Sequence, residues 1–195
     1  QNPANYQPLT PLSFLERASD VFPDHIAIIH GNTKTTYREF YTRSKQLAFS
    51  LAQLGMTRGS TVSTLLLNTP PMLEAHYGIP MCGAVIHAIN TRLDPATIAF
   101  QLDHAKSEIL FYDRELGSIV KEVLSHCQVK PHLIEFVDSE YEYKDALVDL
   151  GADDYEVFLK KGDSNYQWLM PENEWDAISV GYTSGTTGDP KGVVS

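Results

Sequence analysis

Three features of this sequence predict an α/β fold, with βαβ units laid into a mostly parallel sheet and helices packed on its faces. Short apolar or β-branched runs alternate with helical stretches of roughly ten residues or more between Thr61 and Val137, the rhythm of parallel strands joined by crossover helices. Helix starts and stops stand at the junctions: Thr36-x-x-Glu39, Asp94-Pro95, Gly55 and Gly83. The chain has 195 residues, enough for one substantial α/β domain or two small ones.

In chain order, Thr10 is the expected N-cap of a first helix with Pro11 at its first position, and Leu12, Leu15, Ala18 and Phe22 form its apolar face. Pro23-Asp24 ends it. Ile26 to Ile29 reads as a strand, Gly31-Asn32 as a turn, and Thr33 to Tyr37 as the returning strand. The capping box at Thr36 opens a second helix that buries Phe40, Leu47, Leu51 and Leu54 and stops at Gly55. Thr61 to Leu67 is a buried strand. Asn68-Thr69-Pro70-Pro71 caps a third helix reaching about Cys82, which Pro80 is expected to kink or end early. Gly83 closes it, and Ala84 to Ile89 is the next strand. A helix from Asp94 through Lys106, a strand from Glu108 to Tyr112, a helix from Asp113 to Cys127 and a strand from His132 to Val137 continue the pattern. No internal repeat appears beyond that rhythm.

From Asp138 to Glu156 the rhythm breaks. Asp138, Glu140, Glu142, Asp145, Asp149, Asp153, Asp154 and Glu156 stand against Lys144 alone, which reads as a solvated acidic surface with a helix from Asp153 to Lys161. The spacing does not fit an EF-hand calcium loop. Lys160 to Asn165 is a loop. Tyr166, Trp168 and Trp175 lie in the polar connector that follows, and are expected to pin it to the core. Asp176 to Tyr182 returns to strand character.

The net charge of −10 argues against nucleic acid, whose phosphates need basic clusters. It also requires that any polyanionic ligand be held by local donors and a counter-cation such as Mg²⁺. No apolar run is long enough to span a membrane, and Gln1 to Asn5 has neither the basic nor the apolar region of a signal peptide. Cys82 and Cys127 have no metal-like or redox-like spacing, which suggests unpaired thiols in a reducing cytoplasm. His126, Cys127 and His132 lack the further ligands a metal site needs.

Between Thr183 and Gly192 fall four hydroxyl side chains, three glycines and Lys191. Glycines let backbone N–H groups converge on an anion, and hydroxyls and an ammonium add donors, which is how a polyphosphate is gripped. Composition alone would also suit a solvent-exposed loop, so order and flanks decide. Five positions after Gly181 stands Thr186, five after Gly185 stands Pro190, and Lys191 is followed by Gly192, so the Walker A pattern fails. Glycines at 181, 185, 188 and 192 do not make G-x-G-x-x-G. Val193-Val194 has strand character, so the loop is expected between two strands rather than before a helix.

The stretch Tyr182-Thr183-Ser184-Gly185-Thr186-Thr187-Gly188-Asp189-Pro190-Lys191-Gly192 resembles the phosphate-loop signature of the adenylate-forming (AMP-binding) acyl-CoA synthetase family. Thr36-Tyr37-Arg38-Glu39-Phe40, Asn68-Thr69-Pro70, Cys82-Gly83-Ala84-Val85 and Ile89-Asn90-Thr91-Arg92-Leu93 are similar to further segments of that family. Ile89 to Asp94 and Trp168-x-x-Pro171-Glu172-x-Glu174-Trp175 look most like its short- and medium-chain acyl-activating members. The resemblance implies the N-terminal portion of that fold, residues 1–195 forming a truncated segment of the adenylate-forming domain without the C-terminal lid domain. It implies a two-step ligase: a carboxylic acid attacks Mg·ATP to give acyl-AMP, and coenzyme A takes the acyl group. By analogy Thr183, Ser184, Gly185, Thr186, Thr187, Gly188 and Lys191 would hold the phosphates. ATP, Mg²⁺ and coenzyme A are the implied cofactors, a small carboxylic acid is the implied partner, and a homodimer stays open. The resemblance assigns the main catalytic and metal-binding residues to stretches beyond Ser195. The other reading is a stand-alone nucleotide-binding or interaction module, which an intact mass of 21.8 kDa for the native chain would favour.

Overall fold

The computed structural model describes residues 8–143, 147–183 and 190–195. Strands β3 (Thr61–Leu65), β4 (Val85–Ala88), β5 (Ile109–Asp113), β6 (His132–Phe136), β7 (Asp153–Asp154) and β8 (Ser179–Tyr182) run parallel, and β9 (Gly192–Val194) pairs antiparallel with β8. Their order among the described residues is β7-β6-β5-β3-β4-β8-β9. A separate antiparallel hairpin joins β1 (Ile26–His30) to β2 (Thr33–Thr36). The predicted α/β class and mostly parallel sheet are thus what the chain adopts.

Helices α1 (Leu12–Val21), α2 (Tyr37–Gln53), α3 (Pro70–Met81) and α6 (Tyr155–Lys160) cover one face of the sheet, and α4 (Pro95–His104) and α5 (Gly117–His126) the other. Because side chains alternate along a strand, β5 sends Ile109 and Phe111 to the first face and Leu110 and Tyr112 to the second. All four are buried, so the sheet reads as near-continuous apolar runs.

Local chemistry sets the boundaries. In the capping box at the start of α2, the Glu39 amide donates to Thr36 Oγ1 at 3.2 Å, and the Thr36 amide donates to Glu39 Oε2 at 2.7 Å. Gly55 follows the helix with φ +91°, in the left-handed region where a side chain would be strained. On α3, Gly78 faces α2 so closely that a Cβ there would stand 2.8 Å from Leu47, itself fully buried. Helix propensity alone would make Gly78→Ala stabilising by about 1 kcal/mol. Overpacking against Leu47 opposes it, at about 1–3 kcal/mol, and is expected to win. A lower urea midpoint with an unchanged m-value would show this.

Several expectations are corrected. Helix α1 begins at Leu12, with Pro11 at the cap position, and Phe22 lies beyond the helix and 51% exposed; Ser19, not Phe22, completes the buried stripe. Leu54 sits at the α2 C-cap and is 44% exposed, because the backbone has left helical geometry there. Pro80 does not end α3, which continues to Met81: placed in the last turn, its missing N–H costs only one terminal bond. Helix α5 starts at Gly117 after a 3-10 turn over Arg114–Leu116, with Asp113 still in β5.

The connector aromatics divide. Trp168 donates its indole N–H to the Tyr41 hydroxyl at 3.0 Å, and Tyr166 packs on Phe49. Trp175 is 93% exposed and pins nothing. Nor is the acidic segment simply solvated, and its helix starts at Tyr155, capped by Asp154, with Asp153–Asp154 forming β7. Asp138 pairs with His30 at 2.8 Å, Glu140 accepts from the Asn32 amide at 3.0 Å, and Glu156 reaches Arg43 at 2.6 Å. These carboxylates fasten the β1–β2 hairpin and α2 to the sheet. Asp145 and Lys144 lie outside the described residues.

Candidate functional site

The loop singled out by its hydroxyls and glycines is carried by the β8–β9 hairpin. Val180 faces Val194, Gly181 faces Val193 and Tyr182 faces Gly192. Beyond the last pair the Thr183 amide donates to the Lys191 carbonyl at 3.1 Å, so the two ends of the loop are closed on one another. The expected strand–loop–strand arrangement is present. Thr183 and Lys191 are both exposed at the mouth of the hairpin. Ser184, Gly185, Thr186, Thr187 and Gly188 lie outside the described residues. The hairpin opens at the carboxyl edge of the parallel strands, where open α/β sheets bind ligands.

Two histidines, one from β4 and one from α4, stand against Tyr182, where the chain enters this loop. β4 alternates, turning Ile86 to the α1–α3 face and His87 toward α4. Pairing of β4 with β8 then places the His87 ring 5.0 Å from the ring of Tyr182, the residue that enters the loop. From α4, His104 Nδ1 meets the Tyr182 hydroxyl at 2.7 Å, with Phe100 stacked on the imidazole. Tyr182 is thereby held from two sides. No i+3 or i+4 pairing links these histidines in the sequence. Their meeting depends on which strand lies beside which, and the apolar neighbours of His87 in the chain are the one local sign that it is buried.

His87 is fully buried. Its Nδ1 is 2.8 Å from Ser63 Oγ, which in turn is 2.5 Å from Ser107 Oγ, while Nε2 has no hydrogen-bond partner among the described residues. Burial pushes its pKa down to about 4, against an opposing effect of Gln101, so the imidazole is neutral at pH 7. Further along the same edge of the sheet, Asp113 ends β5. Burial first, and then the charges of Glu115 and Asp138, raise its pKa to about 6, against the hydrogen bond that Leu67 donates to it.

These two groups give opposite pH dependences in one window. His87 binds its proton more readily unfolded, near 6.5, than folded, near 4, so its contribution to stability falls as pH drops between those values. Asp113 binds its proton more readily folded, near 6, than unfolded, near 3.8, so its contribution falls as pH rises through that range. A tenfold change in proton affinity corresponds to about 1.4 kcal/mol, which makes each contribution about 3 kcal/mol. Relative to the parent chain, Asp113→Asn is expected to add a rise of stability with pH from 4 to 6, and His87→Gln a fall. Urea midpoints at pH 4, 5, 6 and 7 would show both slopes, and parallel profiles for all three chains would refute the assignment.

Comparison with known proteins agrees with this fold. The family model described as AMP-binding enzyme matches residues 15–195. An acetate/butyrate–CoA ligase of Arabidopsis thaliana, AAE7, named as peroxisomal, is 43% identical over 201 residues, covering 98% of this chain and 35% of its own length. The acetate–CoA ligase CCL3 of Humulus lupulus is 42% identical over 206 residues, covering all of this chain and 36% of its own. Among solved structures, the anthranilate CoA ligase AuaEII superposes with a TM-score of 0.86 at 21% identity, over 98% of this chain and 35% of that one, a likeness of fold. The chain thus spans about a third of the length of the curated relatives it matches.

The cytoplasmic setting expected from Cys82 and Cys127 is overturned by this comparison. AAE7 and three further Arabidopsis relatives are named as peroxisomal. Unpaired thiols argue against an oxidising compartment and cannot distinguish among the others.

Proposed function

Because the chain belongs to the AMP-binding enzyme family, we propose that it is the N-terminal part of an ATP-dependent acyl-CoA ligase whose 183–191 loop grips the polyphosphate of ATP. The observation that carries this reading is the Tyr182–Gly192 segment itself, closed by a hairpin and opening at the carboxyl edge of a parallel sheet. Thr183, Ser184, Gly185, Thr186, Thr187, Gly188 and Lys191 supply the amide, hydroxyl and ammonium donors. Pairing of the two strands brings Thr183 and Lys191, the ends of the loop, together before ATP arrives.

The reaction places negative charge on the leaving pyrophosphate, so donors aimed there lower the barrier. The chain carries −10 overall and repels ATP at long range. Lys191 and a Mg²⁺ counter-ion offset that repulsion locally. Coenzyme A is the acceptor, its thiol taking the acyl group in the second step. The relatives named for acetate and butyrate support a short-chain carboxylic acid as substrate.

The test is carboxylate-dependent exchange of labelled pyrophosphate into ATP. A protein with the relatives' full extent is expected to catalyse it with acetate, butyrate or a close homologue, and the 195-residue chain alone is expected not to. Failure of the longer protein with every carboxylate in a panel would overturn the ligase reading. Robust exchange by the 195-residue chain would overturn its assignment as a part without independent activity.

A further inference from the structure

The sheet has a second opening on its carboxyl edge, apart from the phosphate loop. From β3 the chain crosses to β4 on one side, then returns past β3 to β5 on the other, so the connections diverge between β3 and β5. Such a switch point leaves a crevice at the carboxyl ends of the two strands, where ligands of open α/β sheets bind. A cavity of about 160 Å³ lies there, lined by Leu67 and Thr69 after β3, Asp113 and Glu115 at the end of β5, and Asp138 and Tyr143 after β6. Strand β4 stands between this crevice and the strand that carries the phosphate loop.

Thr69 brings an unused hydrogen-bonding group to this space. It is the N-cap of α3, yet its side chain makes no cap bond. Pro70 and Pro71 have no N–H to offer, and the Met72 amide goes to the Thr69 carbonyl at 3.0 Å. Thr69 Oγ1 is left without a partner among the described residues, although the residue is only 7% exposed. Buried hydroxyls are nearly always satisfied, so one that is not, on the wall of a cavity, has capacity to spare. Beside it stands Asp113, 2% exposed, one oxygen engaged by the Leu67 amide. Glu115 and Asp138 add negative charge, and none of the described residues lining the cavity is basic.

We infer that this crevice binds an ammonium group, held by the Asp113 carboxylate and Thr69 Oγ1, with Glu115 and Asp138 supplying the attractive field. A bare metal ion is the weaker candidate, because among the described residues no three His, Cys, Asp or Glu side chains converge closely enough to ligate one. An ammonium spreads its three N–H donors over hydrogen-bond distances and suits a wider acidic cavity. The volume, about 160 Å³, exceeds what a single water needs and admits a small amine.

The test is a ¹⁵N-edited NMR titration of the 195-residue chain with propylammonium chloride, at constant ionic strength. Saturable shifts are expected at the amides of Leu67, Thr69, Asp113 and Glu115, with none from 1-propanol. Asp113→Asn, which keeps an acceptor for Leu67, is expected to weaken binding about tenfold, as loss of a charge-assisted bond does. Glu115→Gln, on the exposed wall, should fold in any case and weaken binding about twofold to threefold. Absence of saturation, equal shifts with 1-propanol, a response to MgCl₂ alone, or unchanged affinity in both variants would each overturn the inference. Nα-acetyl-lysine amide separates the two sources of an ammonium. Binding at least as tight as propylammonium upholds the inference with a partner's lysine as occupant, and weaker binding upholds it with a free amine.

Discussion

Replacing Lys191 by Ala in the proposed ligase is expected to lower the rate of adenylation about 10²–10³-fold, equivalent to about 3–4 kcal/mol, the usual cost of removing a single donor from a charge-stabilising site. Lys191 is exposed at the mouth of the β8–β9 hairpin, its backbone carbonyl held by the Thr183 amide, so its position does not depend on its side chain. Stability should therefore change by less than about 0.5 kcal/mol, as for ordinary surface substitutions. The loss should appear in kcat/KM for ATP in the pyrophosphate-exchange assay, with an unshifted Tm. Lys191→Arg keeps the charge and is expected to recover part of the rate, because a planar guanidinium does not reproduce the ammonium's geometry. A Lys191→Ala enzyme within about threefold of the parent would remove this lysine from the phosphate grip, whatever the loop's other donors do.

The largest expected loss of stability comes from Arg43→Met. Arg43 on α2 sends Nε to Glu74 Oε1 at 2.5 Å and Nη2 to Glu74 Oε2 at 3.2 Å, a two-bond fork onto α3. It also reaches Glu156 on α6 at 2.6 Å, and the buried Tyr155 hydroxyl donates to Glu74 at 2.6 Å. Glu74 is 1% exposed, so without Arg43 its carboxylate is left in the interior with Tyr155 as its remaining donor among the described residues. Breaking a buried pair in this way costs about 3–5 kcal/mol. Glu156 is 39% exposed, and its bridge adds little because water screens it. Chemical denaturation should register the change as a lower midpoint. Arg43→Met combined with Glu74→Leu should recover much of the loss, since the stranded charge is then gone. Failure of the double variant to recover would place the energy in packing around the Arg43 stem.

Local features of this fold are legible in the sequence. The capping box at Thr36–Glu39, the stop at Gly55 and the Asp94-Pro95 start each act within about one helical turn, and each is where the residues indicate. Side chains just past an element's end are not legible in this way: Leu54 and Phe22 continue the spacing of their helices but lie where the backbone has left helical geometry. The acidic segment misleads for a different reason. Charge density alone describes a surface, and the partners His30, Asn32 and Arg43 that engage Asp138, Glu140 and Glu156 lie over a hundred positions earlier in the chain. The anchoring expected of Trp175 is supplied by Trp168, because an aromatic in a polar connector does not reveal which way it points.

Runs of neighbouring residues suffice to specify the alternation of strands and helices, the hairpin around residues 183–191 and the family signature within it. Strand order is different, and it emerges only when the whole chain is folded. By setting β4 beside β8, that order brings His87 and His104 under Tyr182, and by placing β3 beside β5 it opens the acidic crevice at Thr69 and Asp113. Strand pairing joins residues tens of positions apart through backbone bonds that any sequence of β character can make. Which strands pair is therefore settled by how both faces of the sheet bury together, not by any one segment.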